Sequence, residues 1–380
     1  MPTLPPLALY LHLPWCIRKC PYCDFNSHAQ NQPLPEAEYL DALSRDLAQE
    51  LARLTQKRPL HSIFIGGGTP SLFHPDSLAA LLNEVDRLWG IPSHTEITLE
   101  ANPGTFEMER FQGFRQAGIN RLSIGVQSFH TPALQALGRI HNAQQALAAA
   151  QSARELFPRV NLDLMHGLPG QTPEQALADL QQAVDLEPDH LSWYQLTIEP
   201  NTEFHARPPQ LPVDEALWSI QESGQQLLAE QGFVQYEISA YARAERYSQH
   251  NLNYWRFGDY LGIGAGAHGK VSRLVEGQLE IERHHKLRQP KAYMQALNPD
   301  AGRERVAPED QAFEFMLNAL RLTSGVESSL LHERTVLNSE SLTKTLQQAR
   351  QRGLLEADPG RLQPSAQGRL FLNDLLELFL

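Results

Sequence analysis

Short apolar segments alternate with longer amphipathic segments through the first two-thirds of the chain. The apolar segments predict six strands, at about 7–14, 62–67, 95–100, 121–127, 159–167 and 190–199. The segments that follow them predict helices at about 35–55, 77–88 and 106–117, a helical stretch ending near 156, and helices at 173–186 and 213–231. Such a succession of strand–helix units is typical of an α/β protein with a parallel sheet and crossover helices.

Chemically distinctive residues follow the predicted strands at consistent places. Three cysteines follow the first strand, a glycine run follows the second, and polar residues mark the ends of the others. In chain order these residues are Cys16, Cys20, Cys23, Gly66, Gly67, Gly68, Thr69, Pro70, Glu100, Asn102, Gln127, His166 and Glu199. Because the carboxyl ends of parallel strands share one edge of the sheet, where active sites form, the sequence predicts one site built from all six units.

The alternation stops after about residue 231. The segment 236–277 is rich in aromatic residues and glycine and predicts short strands. From about residue 300 the pattern predicts mostly helices, with a small hairpin and a last helix at the end. We therefore expect a barrel-forming domain at 1–235, a β-rich extension at 236–300 and a small, mainly helical, winged-helix-like domain at 301–380.

Charge and cysteine content restrict the function classes. Of 380 residues, 32 are Lys or Arg and 44 are Asp or Glu, and the resulting net charge of −12 argues against broad nucleic-acid binding. An odd total of three cysteines excludes a complete disulfide framework and fits a reducing cytoplasm. No apolar run approaches the roughly 18 residues that span a bilayer. The apolar tail at 371–380 predicts a packed terminal helix, with a weak peripheral membrane contact as the alternative.

The three cysteines have the spacing Cys16-x3-Cys20-x2-Cys23. Thiolates are the preferred ligands of iron–sulfur clusters and of zinc. A four-iron cluster held by three thiolates keeps one iron open, and that iron can chelate a small molecule. A structural zinc site needs four ligands, and His12 or His28 could supply the fourth. The residues alone therefore leave a cluster, a zinc site and chance clustering as alternatives.

The segment CIRKCPYC at 16–23 resembles the CxxxCxxC signature of the radical S-adenosylmethionine (SAM) superfamily, with Tyr22 at the position of its aromatic residue. The resemblance implies a partial (β/α)6 barrel and a [4Fe-4S] cluster whose fourth iron binds the amino and carboxylate groups of SAM. The glycine run resembles the GGE-like motif of the superfamily, although a tight turn is the alternative. The implied SAM-site residues are Tyr10, Tyr22, Gly66, Gly67, Gly68, Thr69, Glu100, Gln127, Arg139 and Asp163.

Four further segments resemble the HemN/HemW branch of the superfamily: YLHLPWC at 10–16, GVQSF at 125–129, GRIHN at 138–142 and DLMHGLPGQT at 163–172. HemN-type members are oxygen-independent coproporphyrinogen III oxidases that carry an N-terminal extension before the barrel. Tyr10 lies so near the start of this sequence that no room for such an extension is expected. HemW-type members resemble haem chaperones and carry the motif HNxxYW, present here as His250, Asn251, Tyr254 and Trp255.

The HNxxYW motif has side chains that suit haem. Histidine is a common axial ligand of haem iron, and tyrosine and tryptophan present large apolar faces to a porphyrin. His250 is therefore the candidate ligand, and a buried aromatic cluster around a hydrogen-bonded histidine is the alternative. The glycine-rich segment 261–269 invites comparison with a dinucleotide fingerprint, but the residues after it do not clearly open a helix, so no dinucleotide site is expected.

The resemblance implies a cytoplasmic haem chaperone that binds haem and passes it to acceptor haemoproteins, with the cluster and SAM as cofactors. The cluster could also support a homodimer. Radical chemistry stays open because the SAM residues are intact. The alternative function, an oxygen-independent coproporphyrinogen III oxidase, is not expected because of the short N-terminal segment.

Overall fold

The computed structural model describes residues 4–30, 32–104, 108–337 and 339–380, and for 339–341 it describes the backbone alone. The strands are β1 (Leu7–Leu13), β2 (Trp15–Cys16), β3 (His28–Ala29), β4 (Leu60–Gly67), β5 (Glu96–Ala101), β6 (Arg121–Gln127), β7 (Arg159–His166), β8 (His190–Gln195), β9 (Val234–Glu237), β10 (Ala240–Ala242), β11 (Asp259–Ile263), β12 (His268–Val275), β13 (Gln278–Lys286), β14 (Asp300–Arg305), β15 (Val326–Glu327) and β16 (Arg361–Leu362). The helices are α1 (Glu36–Arg53), α2 (Pro75–Leu88), α3 (Phe111–Gln116), α4 (Thr131–Ala136), α5 (Ala143–Leu156), α6 (Pro173–Asp185), α7 (Glu203–Ala206), α8 (Asp214–Glu230), α9 (Gln249–Trp255), α10 (Pro290–Gln295), α11 (Gln311–Ala319), α12 (Ser329–Arg334), α13 (Ser339–Gln351), α14 (Ala366–Leu370) and α15 (Leu372–Leu376). Short 3-10 helices lie at Pro70–Leu72 and Glu377–Phe379.

One large sheet organises the fold. Within the described residues it has 12 strands in the order β14-β13-β12-β11-β1-β4-β5-β6-β7-β8-β10-β9. The run from β11 to β8 is parallel, and the strands beyond each end of it pair antiparallel. All six predicted strands lie in the parallel run, each with helical sequence after it, so the predicted α/β architecture is confirmed.

The core explains why the parallel strands are so apolar. Leu7, Leu9, Leu11 and Leu13 of β1 are fully enclosed, as expected when helices and the inside of a barrel cover both faces of a parallel sheet. Tyr10 alternates with these leucines and lies on the opposite face of the strand. Side chains that alternate with the leucines therefore face the inside of the barrel.

Two predicted boundaries need correction, and a third lies outside the described residues. Strand β8 ends at Gln195, so Glu199 lies in the loop beyond the strand and does not mark its end. The stretch ending near 156 forms two helices, α4 and α5, because Asn142 and Gln145 build a capping box that opens the second helix. The helix predicted at 106–117 is observed as α3, and its predicted start at Phe106 lies outside the described residues.

The region after 235 continues the large sheet. Strand β11 pairs parallel with β1, with Leu7 opposite Asp259, and β12, β13 and β14 extend the sheet from there. The chain therefore forms another strand at Asp300–Arg305, in the region where mostly helices were expected. The HNxxYW motif also differs from the expected short strands, because it forms helix α9, whose first turn is capped by the Ser248 hydroxyl.

The C-terminal region is mostly helical, as predicted, and has its own apolar core around Phe315, Met316 and Leu355. A two-stranded sheet of β15 and β16 joins its helices. The apolar tail packs through Leu375 and Phe379, as predicted for a terminal helix. Among the described helices, none combines the length and the apolar character needed to cross a membrane.

Candidate functional site

A cavity of about 370 Å³, here called the first cavity, opens at the carboxyl ends of the parallel strands. Most of the residues predicted for the cluster and for SAM line it. From the predicted set, the lining residues are Cys16, Cys20, Tyr22, Cys23, Gly67, Gly68, Thr69, Glu100, Gln127, Arg139, Asp163, Asn251 and Trp255. The strand ends therefore converge on one place, as expected for a parallel sheet of this kind.

The cysteine loop, residues 16–23, forms one wall of the first cavity. Cys16 ends strand β2, which pairs with β3, and the amide of Cys23 donates to the carbonyl of Cys20 at 3.1 Å. All three thiols are free. Burial raises the pKa of the Cys16 and Cys23 thiols, so both carry protons that a bound metal would displace.

The histidines considered as a fourth zinc ligand are engaged elsewhere. His12 shares hydrogen bonds with the Tyr10 hydroxyl through Nδ1 and with the Asn26 carbonyl through Nε2, both at 2.9 Å. His28 Nε2 lies 3.2 Å from the carbonyl of Arg288. Within the described ranges, no group of three or more His, Cys, Asp or Glu side chains is arranged to hold a single metal ion. Three free thiols at the wall of a polar cavity instead fit a cluster that keeps one iron open.

The glycine run is joined to the backbone that leads into the cysteine loop. The amide of Gly68 donates to the carbonyl of Leu13 at 2.9 Å, and the amide of Thr69 donates to the carbonyl of Trp15 at 2.7 Å. A Cβ atom on Gly68 would lie 2.5 Å from the Trp15 oxygen, so a side chain is excluded there. Gly67 has φ +125°, which other residues rarely adopt. Gly67 and Gly68 thereby line the cavity with their backbone beside the cysteines. Gly66, the first glycine of the run, packs against Phe64, and a Cβ atom on Gly66 would meet the Phe64 ring.

Two half-buried carboxyl groups face the first cavity from neighbouring parts of the sheet. Glu100 accepts a hydrogen bond from the amide of Gly67 at 3.1 Å. Asp163 accepts from Ser123 Oγ at 2.9 Å and from Asn161 Nδ2 at 2.8 Å. Burial, and then the charge of Asp163, raise the pKa of Glu100 to about 8. Glu100 is therefore mostly protonated at neutral pH unless a bound cation is placed beside it.

Arg139 is held with its guanidinium toward the cysteine loop. Its Nη2 donates to Asn102 Oδ1 at 2.6 Å and to the carbonyl of Gly125 at 2.9 Å, while Nη1 lies 3.8 Å from Cys20 Sγ. Burial opposes its charge, but Tyr22 and Cys20 nevertheless raise the pKa of Arg139 overall. A fixed, charged guanidinium at this place can bind a carboxylate of a ligand.

Gln127 shows backbone strain at the end of β6. Its φ of 67° lies in the left-handed region, which non-glycine residues seldom occupy, and the register between β6 and β7 shifts at the same place. The side-chain oxygen of Gln127 accepts from the Tyr194 hydroxyl at 3.1 Å. Strain of this kind concentrates at functional sites, which supports a role for the side chain that it directs into the cavity.

Several lining residues were not predicted from the sequence. Ser192 and Tyr194 alternate along β8 on the face that borders the cavity, a pattern of period two that could have indicated them. Glu237 and Arg321 form an ion pair at 2.9 Å, and the Arg321 guanidinium lies 4.4 Å from the centre of the Trp255 ring. Arg321 comes from the C-terminal region, so only the folded structure places it at the site.

The side chains of the HNxxYW motif, which forms helix α9, lie in different environments. Asn251 and Trp255 line the first cavity. His250 is 1% exposed, and its ring nitrogens lie 2.9 Å from the hydroxyls of Ser62 and Tyr254. Burial lowers the pKa of His250 to about 3, so the ring is neutral. An iron ligand at this position would have to break one of these hydrogen bonds.

A second cavity of about 630 Å³ adjoins the first cavity and shares Gly67 and Glu100 with it. Both residues line it as well as the first cavity, as does Phe25. Two residues of the predicted site, Tyr10 and Tyr254, lie here rather than in the first cavity. The glycine-rich segment between β11 and β12 also borders it, and because a strand follows that segment, no helix opens there as a dinucleotide fingerprint requires.

Replacing Glu100 with glutamine is expected to stabilise the cofactor-free protein in a pH-dependent way. The carboxyl has a pKa of about 8 when folded and an ordinary value of 4.5. Between these values the unfolded chain releases a proton that the folded protein keeps, so wild-type stability falls as the pH rises through this window. Glutamine does not titrate, and the stability gain of the variant should therefore grow across the window and stay constant above it.

Denaturant unfolding at pH values below, within and above that window measures the effect. The free energy of unfolding of the variant should exceed that of the wild type only where the unfolded carboxyl is ionised. A difference that is the same at all pH values would contradict the raised pKa of Glu100.

Two family models match the chain. The model described as the radical SAM superfamily matches residues 10–183, and the HemN C-terminal domain matches residues 306–371. The first match contains the cysteine loop, the glycine run, Glu100 and Asp163. The second contains Arg321, so both matched regions contribute to the first cavity.

Similar proteins extend over the full chain. Heme chaperone HemW of Haemophilus influenzae is 52% identical, with 100% of this chain and 99% of the relative covered. Heme chaperone HemW of Escherichia coli is 50% identical, with 100% of both chains covered. The mitochondrial radical S-adenosyl methionine domain-containing protein 1 of Bos taurus is 36% identical over 97% of this chain and 86% of its own length.

A solved structure shares the architecture. Coproporphyrinogen III oxidase (HemN) from Escherichia coli, a radical SAM enzyme, superposes with a TM-score of 0.82 over 99% of this chain and 90% of that chain, at 24% identity. At that identity the likeness establishes the fold alone. The predicted resemblance to the HemN/HemW branch is confirmed by the full-length relatives: the chain belongs to the radical SAM superfamily and, within it, to the heme chaperone HemW family.

Proposed function

We propose that this protein is a haem chaperone, which binds haem and transfers it to acceptor haemoproteins, and that it carries a [4Fe-4S] cluster and SAM in the first cavity. The observation that carries the proposal is full-length identity of 52% and 50% to proteins named heme chaperone HemW. The arrangement of the first cavity supports the cofactor part, because three free thiols, a glycine run and buried polar groups meet there.

The residues of the first cavity suit specific parts of SAM. Cys16, Cys20 and Cys23 would hold three irons and leave the fourth for SAM, to which a reduced cluster can supply one electron. Backbone groups of the glycine run are accessible to the methionine part. Arg139 can bind a carboxylate and the Tyr22 ring can pack on adenine. Glu100 and Asp163 can accept hydrogen bonds from ribose hydroxyls or an ammonium group, and a bound cation would favour the ionised form of Glu100.

The proposed setting of the protein rests on its bacterial relatives. We propose a cytoplasmic location, where haem and newly made acceptor proteins meet. A homodimer and a peripheral membrane contact are part of the same proposal. Leu370, Phe371 and Leu380 are exposed on the otherwise packed C-terminal tail and are the side chains that could make such a contact.

One experiment separates the chaperone from the oxidase. The full-length protein, with its cluster reconstituted without oxygen, is titrated with haem and separately incubated with coproporphyrinogen, SAM and a reductant. We expect haem binding without formation of protoporphyrinogen. Robust formation of protoporphyrinogen would refute a function limited to haem transfer, and a lack of haem binding by the wild type would refute the chaperone.

A further inference from the structure

The second cavity has the size of a small-molecule site, and aromatic rings line part of its wall beside polar side chains. Its volume of about 630 Å³ lies within the range of roughly 300–1,000 Å³ that is typical of small-molecule sites. The rings of Tyr254 and Tyr260 pack edge to face at 4.5 Å and border the cavity together with Tyr10. Phe25, which is 61% exposed, borders the same cavity. Aromatic walls of this kind pack well on a porphyrin.

Two histidines stand together in this cavity. His268 begins β12 and His285 lies directly opposite on β13, with ring centroids 5.5 Å apart and the rings nearly parallel at 22°. His268 is exposed to the cavity. Among the described residues, neither ring makes a hydrogen bond or an ion pair. In this respect the pair differs from His12 and His250, whose nitrogens are all hydrogen bonded.

A cationic side chain completes the second cavity. Arg288 borders it, and the backbone carbonyl of Arg288 accepts hydrogen bonds from Asn26 Nδ2 at 2.9 Å and from His28 Nε2 at 3.2 Å. The backbone at this position is therefore anchored to the segment after the cysteine loop. Within the described chain, the guanidinium itself has no hydrogen-bond or ion-pair partner. An arginine free for a bidentate contact matches a carboxylate, and haem carries two propionate carboxylates.

We propose that haem binds in the second cavity, with His268 as an axial ligand of the iron and Arg288 as the partner of a propionate. Residue His285 stacks on the ligand histidine and positions its ring. This inference rests on the proposed haem-chaperone function and specifies the site for it. It assigns His250 a positioning role, in which the ring hydrogen bonds to Tyr254 and fixes one wall of the cavity.

The test is a haem titration of the full-length protein. The titration is monitored by the Soret absorption of the bound haem and by the spin state of its iron. The variant His268→Ala should lose the histidine-ligated spectrum and bind haem at least about tenfold more weakly, because even an outer partner of a metal site contributes about 10- to 100-fold. Added imidazole should restore the histidine-type spectrum in this variant. The variant His268→Met should show a methionine-ligated spectrum instead, which a purely structural role would not produce.

Two further variants serve as controls. His94 is an exposed histidine before β5, at the opposite end of the parallel strands, and His94→Ala should bind haem like the wild type. His250→Ala should keep the histidine-ligated spectrum, with a weaker affinity at most. If His268→Ala and His268→Met leave the spectrum and the affinity unchanged, the inference is wrong although the chaperone proposal stands. If the wild type itself binds no haem, the proposed function fails.

Discussion

Replacing Cys16, Cys20 and Cys23 together with alanine is expected to abolish iron binding. The protein reconstituted without oxygen should hold about four irons per chain, since thiolates are the ligands of a [4Fe-4S] cluster. These are the only cysteines of the sequence, and all three thiols border the first cavity, so no other thiolate can replace them. Iron and sulfide analysis, together with the charge-transfer absorption of the cluster, measures the loss.

A matched variant tests whether a histidine takes part. His28→Ala removes the side chain that could complete a zinc site, but its Nε2 hydrogen bonds to the carbonyl of Arg288 instead. We therefore expect His28→Ala to retain the full iron content. Zinc without iron in carefully reconstituted wild type, or loss of the metal in His28→Ala, would contradict the cluster and support a zinc site with three cysteines and one histidine.

The strand–helix pattern was predictable because each unit buries its apolar side locally. The leucines of β1 and of α1 show a period of two and of 3.6 residues, and both periods survive in the folded protein. The place of the predicted site residues followed from topology alone, since parallel strands end at one edge. The assignment of individual side chains to cluster, SAM or haem stays a prediction.

Long-range pairing was not predictable in the same way. Strand β11 joins β1 across some two-thirds of the chain, and no local pattern specifies that partner. The pairing brings β12 and β13 to the side of the barrel and creates the second cavity between them and β1. His268 and His285 become neighbours only through the register of that hairpin.

Helix α9 was not predicted, because seven residues around an aromatic motif give no clear periodicity. Ser248, which caps the helix, was a signal in the sequence that could have indicated it.

The hairpin that carries His285 is attached to the barrel through a buried charge cluster. Lys286 Nζ donates to Asp46 Oδ1 at 2.6 Å, to Glu50 Oε1 at 2.7 Å and to Asp300 Oδ1 at 2.8 Å. The side chain of Lys286 has no exposed surface, and those of Asp46 and Glu50 on α1 are almost as enclosed. Burial raises the pKa of Asp46 even beside Lys286, which shows how costly the unpaired carboxylate would be.

Replacing Lys286 with methionine is expected to lower the free energy of unfolding by about 3–5 kcal/mol, the usual effect of removing one partner from a buried ion pair. Methionine fills a similar volume, so the loss reflects the charge more than a cavity. Equilibrium denaturation should show a lower midpoint with an unchanged slope. Arg87→Ala, which removes an exposed partner of Glu84, is the matched control and should leave the midpoint unchanged.

The origin of the loss can be separated from packing by a second substitution. Asp46→Asn in the Lys286→Met background removes a carboxylate that the first change leaves uncompensated, while the Tyr293 hydroxyl and the amide of Gly264 can still hydrogen bond to the new side chain. The double variant should therefore regain part of the lost stability, and the two changes should be strongly non-additive. Additive effects, or a midpoint shift in Lys286→Met no larger than in Arg87→Ala, would mean that the charge cluster does not hold the hairpin to the barrel.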